Sequence, residues 1–557
     1  MRWLALLSIC LFFSACSFFE KSDDTAIVEG LPTFKYLSDS LNAAGVKSVK
    51  WAVDGGEIVY SQPSSINWTL ELEPIRKNNV NHLRYRANYK VLDTIVGSER
   101  RISFKAKSLD QEVQNMEVRT INGRLVYYLI EKVRTNVFSN ALMRFEFTPT
   151  HYSLELNQSI EWIFESQQFV YGTILPQGEL WRGEFSMSDQ KTPIQFMLNL
   201  EGEKTLFVKN SNELIGFNRT STSGDTLFFG SDYFNSSFQL VLTSDSTIDG
   251  RWLNEKSDIS RSLSFQARKS IPYRFKTNSV PDYNLSGSHQ AVFFDDEGKV
   301  EDTTILSLNQ CKHLVTGTFL TETGDYRHLE GVIRNDSLLL STMDGTHVYL
   351  FKAKIIGDKL DGVFYAGPTF HQRWAANLST NHELSDPLSI TTASDSIPFT
   401  FSFPNSLGDT VSLSDEAFKD KAVIISIMGT WCSNCMDEAL FLKEVYDSYE
   451  SRGLAIVALD FELISDSGRA FENISRHKTS LGIEYPILLA SLKSTKQKAS
   501  ELMPALSGIS SYPTMVFLDR NHQIARIHTG FSGPGTGRKN YDAFREECLS
   551  FIGTLID

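Results

Sequence analysis

The chain has 557 residues, too many for a single hydrophobic core, so a multidomain protein is expected. Its 38 Phe and 19 Tyr suit extensive β-structure, and a net charge of −13 without basic clusters excludes a nucleic-acid-binding footprint. Beyond residue 16 only Cys311, Cys432, Cys435 and Cys548 remain, which excludes a disulfide-scaffolded fold.

The N-terminus reads as an address. Arg2 precedes a mostly apolar stretch, Trp3 to Phe13, which has signal-peptide length and is too short to span a bilayer. Phe13-Ser14-Ala15-Cys16 resembles a bacterial lipobox, which implies cleavage before Cys16 and lipidation of that residue; a secretory signal cut near Ala15 is the alternative. Residues 1–15 are thus expected to be a lipoprotein signal peptide and 16–30 a polar tether. Lys21-Ser22-Asp23-Asp24 resembles acidic surface-export signals of Bacteroidetes lipoproteins, and a solvated linker accounts for the same residues. No later stretch reaches about 18 apolar residues, so the lipid is the one membrane attachment expected, in the cell envelope.

Residues 31–170 read as a mixed α/β or β-rich domain. Ser40 to Gly45 ends a short helix, and Asn81–Arg86, Leu125–Ile130, Met143–Phe147 and Tyr152–Leu156 alternate like half-buried strands. Ser159–Phe164 fits a short helix or a strand. No chemical constellation stands out there. Residues 171–278 and 279–380 then look like two β-rich repeats. Gly224–Phe229, Phe238–Leu242 and Ile248–Trp252 recur as Asn335–Leu340, Val348–Lys352 and Leu360–Phe364, at an offset of about 111 residues. Each copy is expected to be a small sandwich or barrel, holding a ligand or simply packing its interior. Cys311 reads as a small buried hydrophobe.

Residues 381–395, rich in Ser, Thr and Asp, read as a linker, after which the texture becomes alternating strand and helix. A hairpin over 399–413 precedes a strand at 422–428 and the sequence Trp431-Cys432-Ser433-Asn434-Cys435 at the start of a helix. Further strands are expected at 454–459, 485–489, 514–518 and 523–527, with helices near 467–480, 493–503 and 539–554. Two thiols spaced C-x-x-C can close a small disulfide loop. The first sits at a helix N-terminus, where free N–H groups and the macrodipole favour the thiolate that carries out disulfide exchange.

Together with Tyr512-Pro513-Thr514 opening a late strand, this arrangement resembles the thioredoxin fold. The preceding hairpin and the long segment between strands 454–459 and 514–518 resemble the TlpA/ResA branch of thiol-disulfide oxidoreductases, over residues 396–557. The resemblance implies that Cys432 is the nucleophile and Cys435 the resolving thiol. It also implies a cis Pro513 lining the substrate groove with Tyr512 and Thr514, and Trp431 packing beside the site. It implies no cofactor beyond the Cys432–Cys435 pair, and disulfide-containing envelope proteins and an electron donor as partners. Two departures matter. Ser433-Asn434 lacks the proline common before the second cysteine, and Ser426 stands where thioredoxins often carry a buried acid, leaving Glu462 as a substitute.

Three alternatives share these residues. A zinc site would need His522, His528 or Cys548 to join the pair. His477 and His522 sit in polar contexts that suit the surface, and Cys548 lies on the apolar face of the last helix. A peroxiredoxin-like peroxidase shares the hairpin, but only Thr430 resembles its motif. A surface lipoprotein binding a ligand through its β-halves would make the redox domain accessory.

Overall fold

The computed structural model describes residues 28, 31, 34–54, 57–82, 85–96, 99–136, 139–160, 164–201, 205–378, 383–394 and 396–557. The signal peptide, Cys16 and nearly all of the tether therefore lie outside the described residues. A helix, Phe34–Ala43, ends as expected at Gly45, whose φ of +60° is the left-handed turn that releases the chain. A ten-stranded antiparallel sheet follows, running from Lys47–Asp54 to Phe164–Leu175. Its core gathers Trp68, Phe104, Phe145, Phe147 and Tyr152.

Two expectations fail in this region. Of residues 81–86, the described ones (81, 82, 85 and 86) lie in no strand: Asn81 instead bonds Val28 through its side chain, and its backbone N donates to Asn79 Oδ1 at 2.8 Å. Local Asn contacts of that kind hold the backbone in a turn. The boundary at 170/171 falls inside strand Phe164–Leu175, because Lys47 pairs with Leu175 and Trp51 with Tyr171 to complete the sheet.

Two closed antiparallel rings come next. Eight strands from Glu179–Met187 to Arg261–Lys269 form the first barrel, closed by pairing of the first strand with the last. In the second, from Gly287–Phe294 to Phe370–Asn377, the pairing of Val300–Cys311 with Leu314–Thr321 closes the ring. The segments recurring in the sequence occupy consecutive strands in each ring: Thr226–Ser231, Ser236–Ser244 and Thr247–Asn254, then Ser337–Met343, Val348–Ile356 and Lys359–Ala366. Both interiors are filled by rings. Phe185, Phe196, Phe217, Phe238 and Phe265 pack the first, and Phe293, Phe319, Phe351, Phe364 and Trp374 the second. Such packing stabilises each barrel at the expense of a central ligand cavity.

Residues 391–394, near the end of the segment expected to be a linker, dock instead. Ser394 N donates to Ala505 O and Ser507 N to Thr392 O, each at 2.8 Å, and Thr391 is buried against Thr529. These contacts use backbone and hydroxyl groups, so a polar composition does not prevent them.

The C-terminal domain is thioredoxin-like. We label its elements β1 (Ala422–Met428), α1 (Ser433–Tyr449), β2 (Leu454–Phe461), α2 (Ser467–Leu481), β3 (Ile487–Ser491), β4 (Thr514–Leu518), β5 (Ile524–Thr529) and α3 (Arg538–Ile556). The sheet order is β3-β2-β1-β4-β5, with β1 and β2 parallel and β4 and β5 antiparallel. β1 is central and covered on both faces, which is why its seven residues are all buried and nearly all apolar. Ile424 and Met428 face one core with Phe441 and Ile552, while Val423, Ile425 and Ile427 face the other with Phe399 and Phe418.

Candidate active site

The chain leaves β1 at Met428 and enters α1 five residues later, with Cys432 as the N-cap. Cys432 and Cys435 are joined by a disulfide across a Cα–Cα distance of 5.2 Å. Cys435 N lies 3.2 Å from Cys432 Sγ, so an orphan N–H of the first helical turn points at the sulfur. On reduction the same N–H and the helix dipole stabilise a Cys432 thiolate. Cys435 is fully buried and Cys432 is 8% exposed, so Cys432 is the sulfur an incoming group can reach.

The Tyr512–Pro513 bond is cis. It places Tyr512 O 3.6 Å from Cys432 Sγ. The Tyr512 ring meets Trp431 edge to face at 5.6 Å, and Trp431 Nε1 donates to Phe461 O at 2.9 Å. Trp431, Cys432 and Tyr512 line one cleft of about 440 Å3. Thr514 does not join them: it is fully buried, and its hydroxyl donates to Ser511 O at 3.0 Å, so it braces the loop from below.

The buried acid sought in β1 arrives from the helix. Glu438, one turn beyond Cys435, is fully buried and accepts a hydrogen bond from Ser426 Oγ; burial pushes its carboxyl up to about 8. The signal available in the sequence was the spacing of Glu438 three residues after Cys435, which puts both on one helix face. Glu462 is also buried, accepting from Thr430 Oγ1 and Asn473, and it is raised by burial together with neighbouring Asp460, which accepts from Thr430 N at 3.1 Å. Thr430 is thus committed to this acid pair.

His477 corrects another expectation. It is completely buried on the inner face of α2, where desolvation lowers it to about 4. His522 lies at a turn, within 3.0 Å of Phe418 O, and His528 lies 3.0 Å from Gly530 O. Cys548 is buried as expected. Among the described residues no group of three or more His, Cys, Asp or Glu is placed to hold a metal ion.

The cleft's other wall belongs to the second barrel. Residues 321–328 lie across the redox domain: Ser511 Oγ donates to Thr323 O at 2.9 Å, Asn434 Nδ2 to Asp325 O at 3.2 Å, and Gly533 N to Asp325 Oδ2 at 2.8 Å. Tyr326, Asp344, His347 and Tyr349 also line the cleft, with Asp302, Phe364 and Ala366 beside them.

A disulfide at the start of a helix beside a cis-proline loop, on a thioredoxin-like sheet, defines a dithiol exchange site. The Redoxin family model matches residues 392–544. The chain is 25% identical over 113 residues to the thiol-disulfide oxidoreductase ResA of Geobacillus thermodenitrificans, covering 20% of this chain and 57% of that protein. It is 27% identical over 142 residues to ResA of Bacillus subtilis, covering 26% and 69%. Among solved structures it is similar to a thioredoxin family thiol:disulfide interchange protein from Chlorobium tepidum, with 20% identity and a TM-score of 0.22 over 29% of this chain and 100% of that one. The C-terminal Redoxin domain is therefore similar to ResA-type thiol-disulfide oxidoreductases. The chain spans 57 to 58% of the length of the first curated relatives it matches.

Proposed function

We propose that this chain is an exported, lipid-anchored thiol-disulfide oxidoreductase that exchanges disulfides with envelope proteins, in the reducing direction. The observation that carries the reading is the Cys432–Cys435 disulfide, held at the N-terminus of α1 beside the cis Tyr512–Pro513 bond. In the reduced pair the Cys432 thiolate attacks one sulfur of a substrate disulfide. A mixed disulfide forms, and the other substrate sulfur leaves as a thiolate that takes a proton. Cys435 then loses its proton and attacks Cys432 Sγ, closing the pair and expelling the second substrate thiolate. Two electrons pass to the substrate, and an external dithiol donor must return them.

Glu438 is the buried acid we assign to take the Cys435 proton, since burial holds its affinity for a proton near neutrality. Trp431 and Tyr512 flank the incoming sulfur, and the extended backbone at Pro513 pairs with the substrate chain. No further redox cofactor enters these steps. The strand-by-strand correspondence of the two barrels supports a duplicated β unit, and their ring-filled interiors favour a scaffold over a ligand carrier.

Full-length chain is expected to accelerate insulin reduction by dithiothreitol well above the uncatalysed rate. Failure to do so, with a pair that dithiothreitol does not open, would overturn the reading. For the anchor, Cys16→Ala is expected to move the protein from the membrane to the soluble fraction of the cell envelope. Persistence of the variant in washed membranes would refute lipidation at Cys16. Among the described residues no helix is long and apolar enough to cross a membrane.

A further inference from the structure

One buried cation joins three parts of the chain beside the dithiol. Arg327 lies within the turn of residues 321–328 in the second barrel, and its side chain is only 2% exposed. Nη1 donates to Ser433 O, the carbonyl of the residue after Cys432, and lies 3.1 Å from Asp437 Oδ2 on α1. Nη2 bonds Glu213 of the first barrel. A guanidinium is costly to remove from water unless its donors are paired. Here the partners of the two terminal nitrogens come from the first barrel and from the first turns of the catalytic helix.

The seating is built by backbone as well as by charge. A Cβ at Gly535 would lie 2.8 Å from the Arg327 carbonyl carbon, and one at Gly530 would lie 2.6 Å from that of Thr323. Two glycines therefore let the redox domain approach the barrel turn main chain to main chain. Asp325 locks the turn, accepting from Gly533 N at 2.8 Å and from Arg327 N at 2.6 Å. Phe234 and Tyr233 of the first barrel pack into the apolar cluster that contains Cys432 and Cys435, so the junction is sealed from water on that side as well.

We propose that Arg327 is a positioning residue for the dithiol: from the second barrel it fixes the first turn of α1 and adds a buried positive charge that favours the Cys432 thiolate. The barrels thereby set the reactivity of a redox centre built on another domain. The proposal rests on the exchange reading above. Helix dipole and guanidinium act in the same direction on a sulfur one residue from Ser433. The surrounding ionisable groups are Asp437 and Glu438 on α1, Asp460 and Glu462 at the end of β2, Asp325 and His328 on the turn, Asp344 and His347 across the cleft, and Glu213. Burial raises Asp437, Glu438, Asp460, Glu462 and Asp325 toward their neutral forms, and Asp344 is paired with His347 at 3.0 Å. Asp344 stays ionised across the cleft, held below the usual carboxylate range by His347 and Arg327, and Arg327, paired through Nη2 with Glu213, is the cation held against the start of the helix.

The test follows the pH profile of Cys432 alkylation by iodoacetamide in the reduced full-length chain, with Cys432 identified by mass spectrometry. Arg327→Gln is expected to raise the midpoint by about one unit, which is about tenfold less thiolate below both midpoints. Its equilibrium with glutathione is expected to move about tenfold toward the disulfide, or about 30 mV more reducing. Arg327→Lys, which keeps the charge without the planar fork, is expected to recover at least half of that shift. Gly535→Val keeps every charge and wedges Arg327 away, so its midpoint is expected to rise as well, and its profile decides the matter if Arg327→Gln does not fold. Midpoints within about 0.3 unit of the parent in the folded variants, or Arg327→Lys behaving like Arg327→Gln, would overturn the proposal. A parent chain that never exchanges with glutathione disulfide would instead overturn the exchange reading itself.

Discussion

Cys432→Ser is expected to remove disulfide exchange by on the order of a thousandfold or more, because it replaces the only accessible sulfur of the pair by a hydroxyl that does not ionise near neutrality. Cys435→Ser should fail differently. Its Cys432 still attacks, but no second thiol releases the product, so the variant accumulates as a mixed disulfide with its substrate. The asymmetry follows from burial: Cys435 is fully enclosed, and Cys432 faces the cleft beneath Trp431 and Tyr512. Non-reducing gels after mixing with a peptide disulfide measure both outcomes. Equal residual exchange in the two variants, or trapping through Cys435, would refute the assigned roles.

Glu438→Gln is expected to stabilise the C-terminal domain above about pH 6 while slowing resolution by Cys435. The folded carboxyl is raised from 4.5 to about 8, chiefly by burial and partly offset by the Ser426 hydrogen bond. Between those values the folded state binds the proton more tightly than the unfolded chain does. Stability from this group is therefore complete below about pH 4.5 and is lost as pH rises through about 8. Across the full window the loss is about 5 kcal/mol, and a Gln that keeps the Ser426 contact recovers about 3 kcal/mol of it at pH 7.5. Asp437, raised to about 8, and the Asp460–Glu462 pair, raised by burial, push in the same direction, so the parent domain loses stability over this range by more than one proton's worth. The urea dependence of hydrogen exchange at 422–428, compared at pH 5 and pH 7.5, measures this. A variant with the parent's pH slope would show that Glu438 is already ionised in the folded protein.

The elements legible in the sequence were those whose reasons are local. An apolar run of β1 followed by Cys432 and Cys435 needs little beyond strand and helix periodicity, and Gly45 and the hairpin turns of the barrels announce themselves by residue type. Thr321 to His328 has the composition of a solvated turn, yet Arg327 within it is among the most buried charged groups described. His477 reads as a polar surface position, and residues 391–394 as part of a linker, because periodicity reports a preferred face and not what comes to cover it. The described residues of Asn81–Arg86 stay out of a strand for the opposite reason: alternation was present, but Asn81 is engaged by Asn79 next to it and by Val28.

The sequence alone determined a dithiol at a helix start, a late proline beside a strand, and long β-rich stretches ahead of them. Each of these depends on contacts between near neighbours in the chain. Only the tertiary structure decided that a turn of the second barrel forms one wall of the cleft, that the buried acid comes from the helix instead of β1, and that Arg327 reaches Ser433. The first and last of these join residues more than a hundred positions apart, and burial of the Arg327 charge is tolerable only because partners from separate domains meet there, whereas Glu438 meets Ser426 across twelve residues of one domain.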